Sequence, residues 1–442
     1  MTEEQERMIS RRDFLKRSAG GAAALAAISS GIPVWGQDKT SLDFAVWSYG
    51  IQTVLDNIDK FEETYPDISV KLHDFPWTDY RSTMVNRFRN QTSTDVLYNG
   101  GDWLPEFALA GWVVPLERYF PRVEEYKDEI ADYAISEMTY KDKLYGLPYY
   151  ADLITFMYNE KILKEHGINE PPSTWEELKE DSMKLKEEGM KNPIMYEVAE
   201  DLPNFLSAFW SMVYGRGERP FNEDNEPVFN DPDHAAYKQL EWFTKSLNDW
   251  DLATYLSHET EVAPAMGTGE HAFTILYNYN LAQLNNPDAN PRAGQFRLGL
   301  MPGNEHHCFG FAKMYSMSQM AAQRGRGVRD AAWKFIDYFG GKVDGTYKVS
   351  KRWAVEKGLG FAQLPLYDDP DVRDAWSSWV DMDRYREQAE IAWAPTRTSW
   401  YGAWSPFMRS QMMQAIAGEI SVGRALDNAA KRWDELKEEY TF

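Results

Sequence analysis

Cysteine is almost missing from this chain: its 442 residues include one, Cys308, so no intramolecular disulfide can form. Positive charge is the scarcer sign, with 47 Lys plus Arg against 69 Asp plus Glu and a formal net charge of −22. A surface that acidic repels phosphate backbones, which excludes general nucleic-acid binding. No apolar stretch after residue 36 approaches the roughly 20 residues needed to span a bilayer. Common enzyme signatures are missing too. There is no Gly-x-Ser-x-Gly elbow, no His-Glu-x-x-His helix and no Gly-rich phosphate loop ending in Lys-Ser/Thr. Gly267-Thr268-Gly269-Glu270 lacks the third glycine of a dinucleotide fingerprint. His306-His307-Cys308 are consecutive, and three consecutive side chains do not easily converge on one ion. Asn222-Glu223-Asp224-Asn225-Glu226 lacks the glycine and the distant bidentate Glu of a calcium loop, and reads as a hairpin turn. No metal and no cofactor are expected.

The chain is too long for one ordinary domain of about 100–200 residues, so two domains or two lobes are expected. Its 17 Trp, 25 Tyr and 22 Phe exceed what the core of so acidic a chain requires, which puts some of them on the surface. At the N-terminus, Ser10-Arg11-Arg12-Asp13-Phe14-Leu15-Lys16 precedes a weakly apolar stretch, Ser18 to Ile32, containing Gly20, Gly21 and Gly31. A charged start, a short apolar run and a small residue at Gly36 describe an export signal over 1–36. The paired arginines followed by Phe-Leu-Lys resemble the twin-arginine (Tat) motif. No cysteine lies at the cut, so no lipid anchor is expected there, and the product reads as a soluble periplasmic protein.

Hydrophobic spacing then alternates between two periods. Leu42–Trp47 and Ile68–Leu72 read as strands, with a helical stretch from about Gln52 to Tyr65 between them that Pro66 stops. A second helix is predicted from about Thr78 to Phe88 and a third strand over Asp95–Tyr98. This order implies βαβ units around a mostly parallel sheet. Thr174-Trp175-Glu176-Glu177 is a capping box that starts a helix running toward Gly189. Asp231-Pro232 predicts another helix start, with Asp as cap. Val422, Ala425, Leu426, Ala429, Trp433 and Leu436 make one apolar stripe of a C-terminal helix.

Aromatic residues stand beside short polar ones at the predicted strand ends and loops. The groups are Trp47-Ser48-Tyr49, Trp77-Thr78-Asp79-Tyr80, Asp102-Trp103, Tyr149-Tyr150-Ala151-Asp152, Tyr277-Asn278-Tyr279 and Trp400-Tyr401. Sugar rings have apolar C–H faces and a rim of hydroxyls; flat aromatic faces take the first, and carboxylates and amides take the second. Open α/β sheets bind ligands at the carboxyl ends of their strands, where several of these groups fall. The set points to carbohydrate recognition. Acidic residues are too numerous for counting to exclude a glycosidase pair, so an exported carbohydrate-active enzyme (glycoside hydrolase or lyase) is the alternative.

Several runs of sequence resemble the family 1 extracellular solute-binding proteins of ABC importers, the group that includes maltose-binding protein. They are Asp95-Val96-Leu97 through Trp103, Lys143-Leu144-Tyr145-Gly146-Leu147-Pro148, Met157-Tyr158-Asn159-Glu160, Pro171-Pro172-Ser173-Thr174-Trp175-Glu176-Glu177-Leu178, Ala331–Ile336 and Leu366–Val372. The resemblance implies a two-lobed periplasmic-binding-protein fold of type II. Each lobe would be a mostly parallel sheet flanked by helices, with the ligand cleft between them. It implies an N-terminal lobe of 37–151 plus 303–355 and a C-terminal lobe of 152–302 plus 356–442. Crossings would fall near Tyr150–Leu153, Leu300–Phe309 and Trp353–Phe361. It places sugar-binding carboxylates at Asp102 and Asp152, a stacking aromatic at Tyr279, and cleft residues at Trp353, Trp400 and Tyr401. With the aromatic groups above, the candidate ligand contacts are Trp47, Tyr49, Trp77, Asp79, Asp102, Trp103, Tyr150, Asp152, Tyr277, Asn278, Tyr279, Trp353, Trp400 and Tyr401. The implied partners are a carbohydrate ligand and the membrane permease subunits of an ABC importer. A monomer is expected, doing no chemistry and closing about a hinge.

The signal yields a direct test. Replacing Arg11 and Arg12 by Lys should leave the precursor in the cytoplasm with its mature part folded, since the pair is a receptor-read address. Fractionation decides it: normal export in cells lacking the Tat translocase refutes the assignment.

Overall fold

The computed structural model describes residues 39–440, and the export signal read in 1–36 lies outside them. β1 (Thr40–Trp47), β2 (Ile68–Phe75) and β3 (Val96–Gly100) fall where the alternation predicts them, with the helices Ile51–Thr64 and Trp77–Arg89 between. β1 pairs in parallel with both β2 and β3, as helical crossovers require. Val54, Ile58 and Phe61 of the first helix turn inward, and Leu55 of the same predicted stripe is left exposed.

A small hairpin, β4 (Thr139–Tyr140) and β5 (Lys143–Leu144), leads into the longest strand, β6 (Gly146–Asn159). Of its fourteen residues all but Tyr150 and Tyr158 are buried, as happens when both faces of a strand are covered. β7 (Ile194–Glu197), β8 (Ala253–Leu256), β9 (Phe273–Tyr277), β10 (Phe296–Gly299) and β11 (Phe309–Met317) follow. One sheet joins them in the order β2-β1-β3-β11-β6-β9-β7-β8, with β10 also on β6. Its outer pairings are parallel. Its centre is antiparallel: β11 lies between β3 and β6, and β9 and β10 take the second half of β6. The parallel outer strands thus belong to the two halves, and β6 is common to both.

Helix starts follow local chemistry. The capping box is present: Glu177 N–H donates to Thr174 Oγ1 at 3.1 Å, and the Glu177 carboxylate accepts from Thr174 N–H at 3.3 Å. The helix predicted at Asp231-Pro232 instead begins at Ala235 with His234 as cap. Asp231 is spent on a turn of its own, accepting Asp233 N–H at 2.9 Å, so the helix is displaced by three residues. The segment Asn222–Glu226 is the expected turn, closed by two backbone N–H groups on Asn222 Oδ1. Residues 361–376 pack against Ile130–Ala131 and the helix Lys348–Lys357: Ala131 N–H donates to Ala362 O at 2.9 Å, and Trp376 Nε1 donates to Ala354 O at 3.0 Å.

The helix Val422–Tyr440 docks through the predicted stripe, with Trp433 fully buried, stacked on Phe221 at 4.0 Å and donating Nε1 to Asn225 O at 2.8 Å. Trp433→Ala should cost about 3–5 kcal/mol, the range for deleting a large buried aromatic, measured by urea unfolding. A loss under about 1 kcal/mol would mean that the helix is not part of the core.

Candidate functional site

The carboxyl ends of β1, β3 and β9 and the middle of β6 carry most of the predicted residues. Trp47 ends β1, and its ring meets Trp77 at 5.2 Å and Trp103 at 6.4 Å, both edge-on. Trp77 opens the helix after β2 and is 50% exposed, its ring 5.4 Å from that of Trp103. Tyr49, 43% exposed, lies over Trp353 at 6.2 Å and 29°. Trp77 and Tyr49 therefore present open faces, while Trp47, Trp103 and Trp353 support them from behind.

Register supplies the charge. Lys313 on β11 stands opposite Gly100 on one side and Tyr150 on the other, and its Nζ donates to Asp102 Oδ1 at 2.7 Å. Beside this pair Arg397 Nε donates to Glu137 Oε1 at 3.0 Å. Both pairs press against Gly100 and Gly101: a Cβ on Gly100 would run into Asp102 and Lys313, and one on Gly101 into Glu137. Burial pushes the Asp102 carboxyl up, but the Lys313 and Arg397 charges outweigh it and hold it below the usual carboxylate range. Asp102 is therefore an ionised acceptor. Glu137 is more deeply buried, and burial, with Asp102 adding to it, leaves its carboxyl above the usual range despite Arg397.

Across the sheet lie the remaining groups. Burial, then the fields of Asp152, Tyr277, Asp102 and Tyr49, push the Tyr150 phenol well above its ordinary value, so these side chains converge on it. Asp152 is almost completely buried, its Oδ1 accepting Gly360 N–H at 3.2 Å. No side chain would fit at Gly360, where a Cβ would strike Ala151 O and Asp152. Burial pushes Asp152 up to about 8; the Asn278 side chain and Gly360 N–H oppose the shift, and Glu259 adds to it. Asn278 is fully buried and accepts Leu153 N–H at 2.9 Å, tying β9 to β6. Tyr277 and Tyr279 are half-buried and stack on each other.

Not every candidate joins this group. Asp79 is exposed in the first turn of its helix, with its side chain outside the cluster's hydrogen bonds. Trp400 packs edge-on against Trp433 at 5.4 Å. Tyr401 is buried, accepting Trp210 Nε1 at 3.2 Å with Arg397 over its ring. Asp152, Asn278 and Trp353 are sealed from solvent in this conformation, so their contacts are with protein. Sequence patterning does not mark Lys313, Glu137, Arg397, Glu197 or Glu259; a lysine inside the apolar run Phe309–Met317 is the one visible signal. Two surface hollows of about 280 and 420 Å³ lie elsewhere, along Tyr158, Glu170 and Pro171, and hold none of the candidates. His307 stacks on Trp393 and His306 bonds Met301 O, both as loop supports before β11.

Open aromatic faces beside an ionised carboxylate suit a ligand with apolar faces and a hydroxyl rim. The family model for bacterial extracellular solute-binding proteins matches residues 47–344, and the chain belongs to that family. It is a binding protein, and the enzyme alternative finds no support. A putative binding protein of Brucella abortus (strain 2308) is 22% identical over 380 residues, covering 85% of this chain and 87% of its own. The maltotriose-binding protein of Pyrococcus abyssi (strain GE5 / Orsay) is 29% identical over 311 residues, 70% of this chain and 63% of its own. Among solved structures, the sugar-binding protein MalE from Xanthomonas citri superposes with a TM-score of 0.76 at 20% identity, covering 90% of this chain and 98% of that one. The fold is thus that of two-lobed periplasmic binding proteins. Among the described residues, no helix is long and apolar enough to cross a membrane.

The raised Asp152 gives a pH test. Between about pH 4, where the unfolded carboxyl loses its proton, and about 8, where the folded one does, the native state holds the extra proton, so stability falls as pH rises. Asp152→Asn removes that contribution. Its thermal-unfolding midpoint should gain on wild type by several degrees from pH 4 to 8 and no further above; a constant gap refutes the assignment.

Proposed function

We propose that this protein is an exported receptor that captures a sugar or short oligosaccharide between two lobes and delivers it, unaltered, to the permease of an ABC importer. The observation that carries the reading is that Lys313, whose Nζ holds the ionised Asp102 at 2.7 Å, lies 5.5 Å from the exposed Trp77 ring, while Asp102 and the exposed Tyr49 both act on Tyr150. The names of the maltotriose-binding relative and of the sugar-binding MalE structure support the ligand class. Trp77, Tyr49, Asp102, Tyr150, Tyr277 and Tyr279 are the proposed contacts, with Trp47, Trp103, Asp152, Asn278 and Trp353 behind them. Asp79, Trp400 and Tyr401 complete the proposed set at its margin.

The lobes are 37–151 plus 303–355 and 152–302 plus 356–442, with residues 361–376 leaning on the first. The protein works as a monomer in the periplasm, reached through the Tat pathway, and its acidic surface keeps it off nucleic acid. A ligand touching both lobes favours the closed arrangement by its differential affinity.

Thermal shift with maltose, maltotriose and mannitol tests the ligand class, since a ligand at about 100 times its Kd adds about 2.7 kcal/mol of apparent stability. Asp102→Ala should then lose tenfold or more in affinity by calorimetry, the worth of hydrogen bonds to a charged group, and some stability as well, because Lys313 is left buried without its partner. Unchanged affinity moves the site elsewhere, and a cleaved sugar recovered from the complex refutes the carrier.

A further inference from the structure

Behind the two tyrosines of the C-terminal wall runs a closed circuit of hydrogen bonds. The Tyr277 and Tyr279 rings lie face to face, with centroids 5.5 Å apart and planes 6° apart. The Tyr277 hydroxyl donates to Asn204 Oδ1 at 3.4 Å, and Asn204 Nδ2 donates to Glu197 Oε1 at 3.2 Å. The same Glu197 oxygen accepts the backbone N–H of Glu259 at 3.1 Å. Glu259 in turn accepts the Tyr279 hydroxyl on both carboxylate oxygens, at 2.7 and 2.8 Å. Asn280 closes the circuit, its Nδ2 donating to Glu259 Oε2 at 3.0 Å and to Tyr277 O at 3.2 Å. Four pieces of chain meet here: the end of β7, the helices Pro203–Gly215 and Glu259–Gly267, and the turn from β9 into the helix Tyr279–Leu284.

We propose that Glu197, Asn204 and Glu259 are positioning residues for the Tyr277–Tyr279 pair, and that the proton on Glu197 decides whether the pair is held at the angle its ligand meets. The proposal rests on the reading that these tyrosines touch the sugar. Glu197 is buried, and the groups facing it are all acidic or neutral: Glu259 from its helix, Tyr277 from β9, Asn204 from the helix Pro203–Gly215 and Leu256, its partner on β8. Of the nearby cations, Arg409 of the helix Tyr401–Ile416 is spent on Glu200 O at 2.6 Å, and Arg397, whose field reaches Tyr277, is spent on Glu137 at 3.0 Å. His258 turns away to cap its own helix at Thr260. Burial, and after it the Glu259 carboxylate, push Glu197 up to about 7. Below that value Glu197 carries no charge of its own. Above it a negative charge appears beside Glu259, and repulsion in a poorly hydrated place drives the half-buried Glu259 outward, away from Tyr279 and Asn280.

The first test needs no ligand. Protein labelled with ¹³C-tyrosine is titrated from about pH 5.5 to 8.5 by NMR, with the Tyr277 and Tyr279 signals assigned from Tyr277→Phe and Tyr279→Phe. Tyr277 is the cleaner reporter, because the field of Glu197 acts on it directly, whereas Asp152 acts on Tyr279. An inflection near pH 7 in wild type that disappears in Glu197→Gln is the expected result. A flat wild-type curve, or an inflection that survives in Glu197→Gln, overturns the proposal. In the second test maltotriose is titrated at both pH extremes: wild type should bind about tenfold more weakly at the higher pH, and Glu197→Gln should lose most of that difference, Asp152 contributing the rest. Equal wild-type affinity at the two extremes also overturns it. If maltotriose and the other sugars fail to bind at either pH, the ligand reading falls, and the NMR curves alone decide the circuit.

Discussion

One strand serves both halves of the molecule, and the placement of the candidate site's side chains depends on it. β6 has to satisfy its backbone on both edges over fourteen residues, so it accepts β11 on one side and β9 on the other, with β10 beside its far end. That pairing sets Lys313 opposite Tyr150, Phe311 opposite Asp152 and Tyr277 opposite Ile154. A slip of one residue would turn every one of these side chains to the other face. The Lys313–Asp102 pair exists because β11 holds that register against β3 as well.

The two walls treat buried charge differently. On the β3 side, acids are matched by cations, Asp102 by Lys313 and Glu137 by Arg397. Such pairs add little net stability, because desolvation offsets most of the attraction, but they fix geometry. Asp102 stays ionised and can accept from a hydroxyl. On the β9 side Asp152 and Glu197 face amides, phenols and another acid, and burial keeps protons on them to near-neutral pH and above. One wall is held by ion pairs and the other by acids that burial disposes to keep their protons.

Aromatic residues link the walls to the core. Trp47 touches Trp77, Tyr80, Tyr98, Trp103 and Tyr149, so the exposed ring of Trp77 rests on packed rings behind it. A ring held in this way has little side-chain freedom left to lose on any contact.

The sequence by itself determined the local structure. β1, β2, β3, their two helices, the Thr174 capping box and the C-terminal stripe follow from spacing and caps, which act between residues a few positions apart. It also carried the family resemblance and the aromatic groups, and through them the class of fold. The helix whose start is displaced from Pro232 to Ala235 was a contest between two local bonding patterns that spacing could not decide. The site was only half legible. That Trp77 and Tyr49 would be open while Trp353, Asn278 and Asp152 would be sealed depends on what packs over them, and burial is not written in a linear pattern. Lys313 and Asp102 are 211 residues apart, and Arg397 and Glu137 are 260 apart. Charge partners at such distances are chosen by strand register and helix packing, so the tertiary structure alone could decide them.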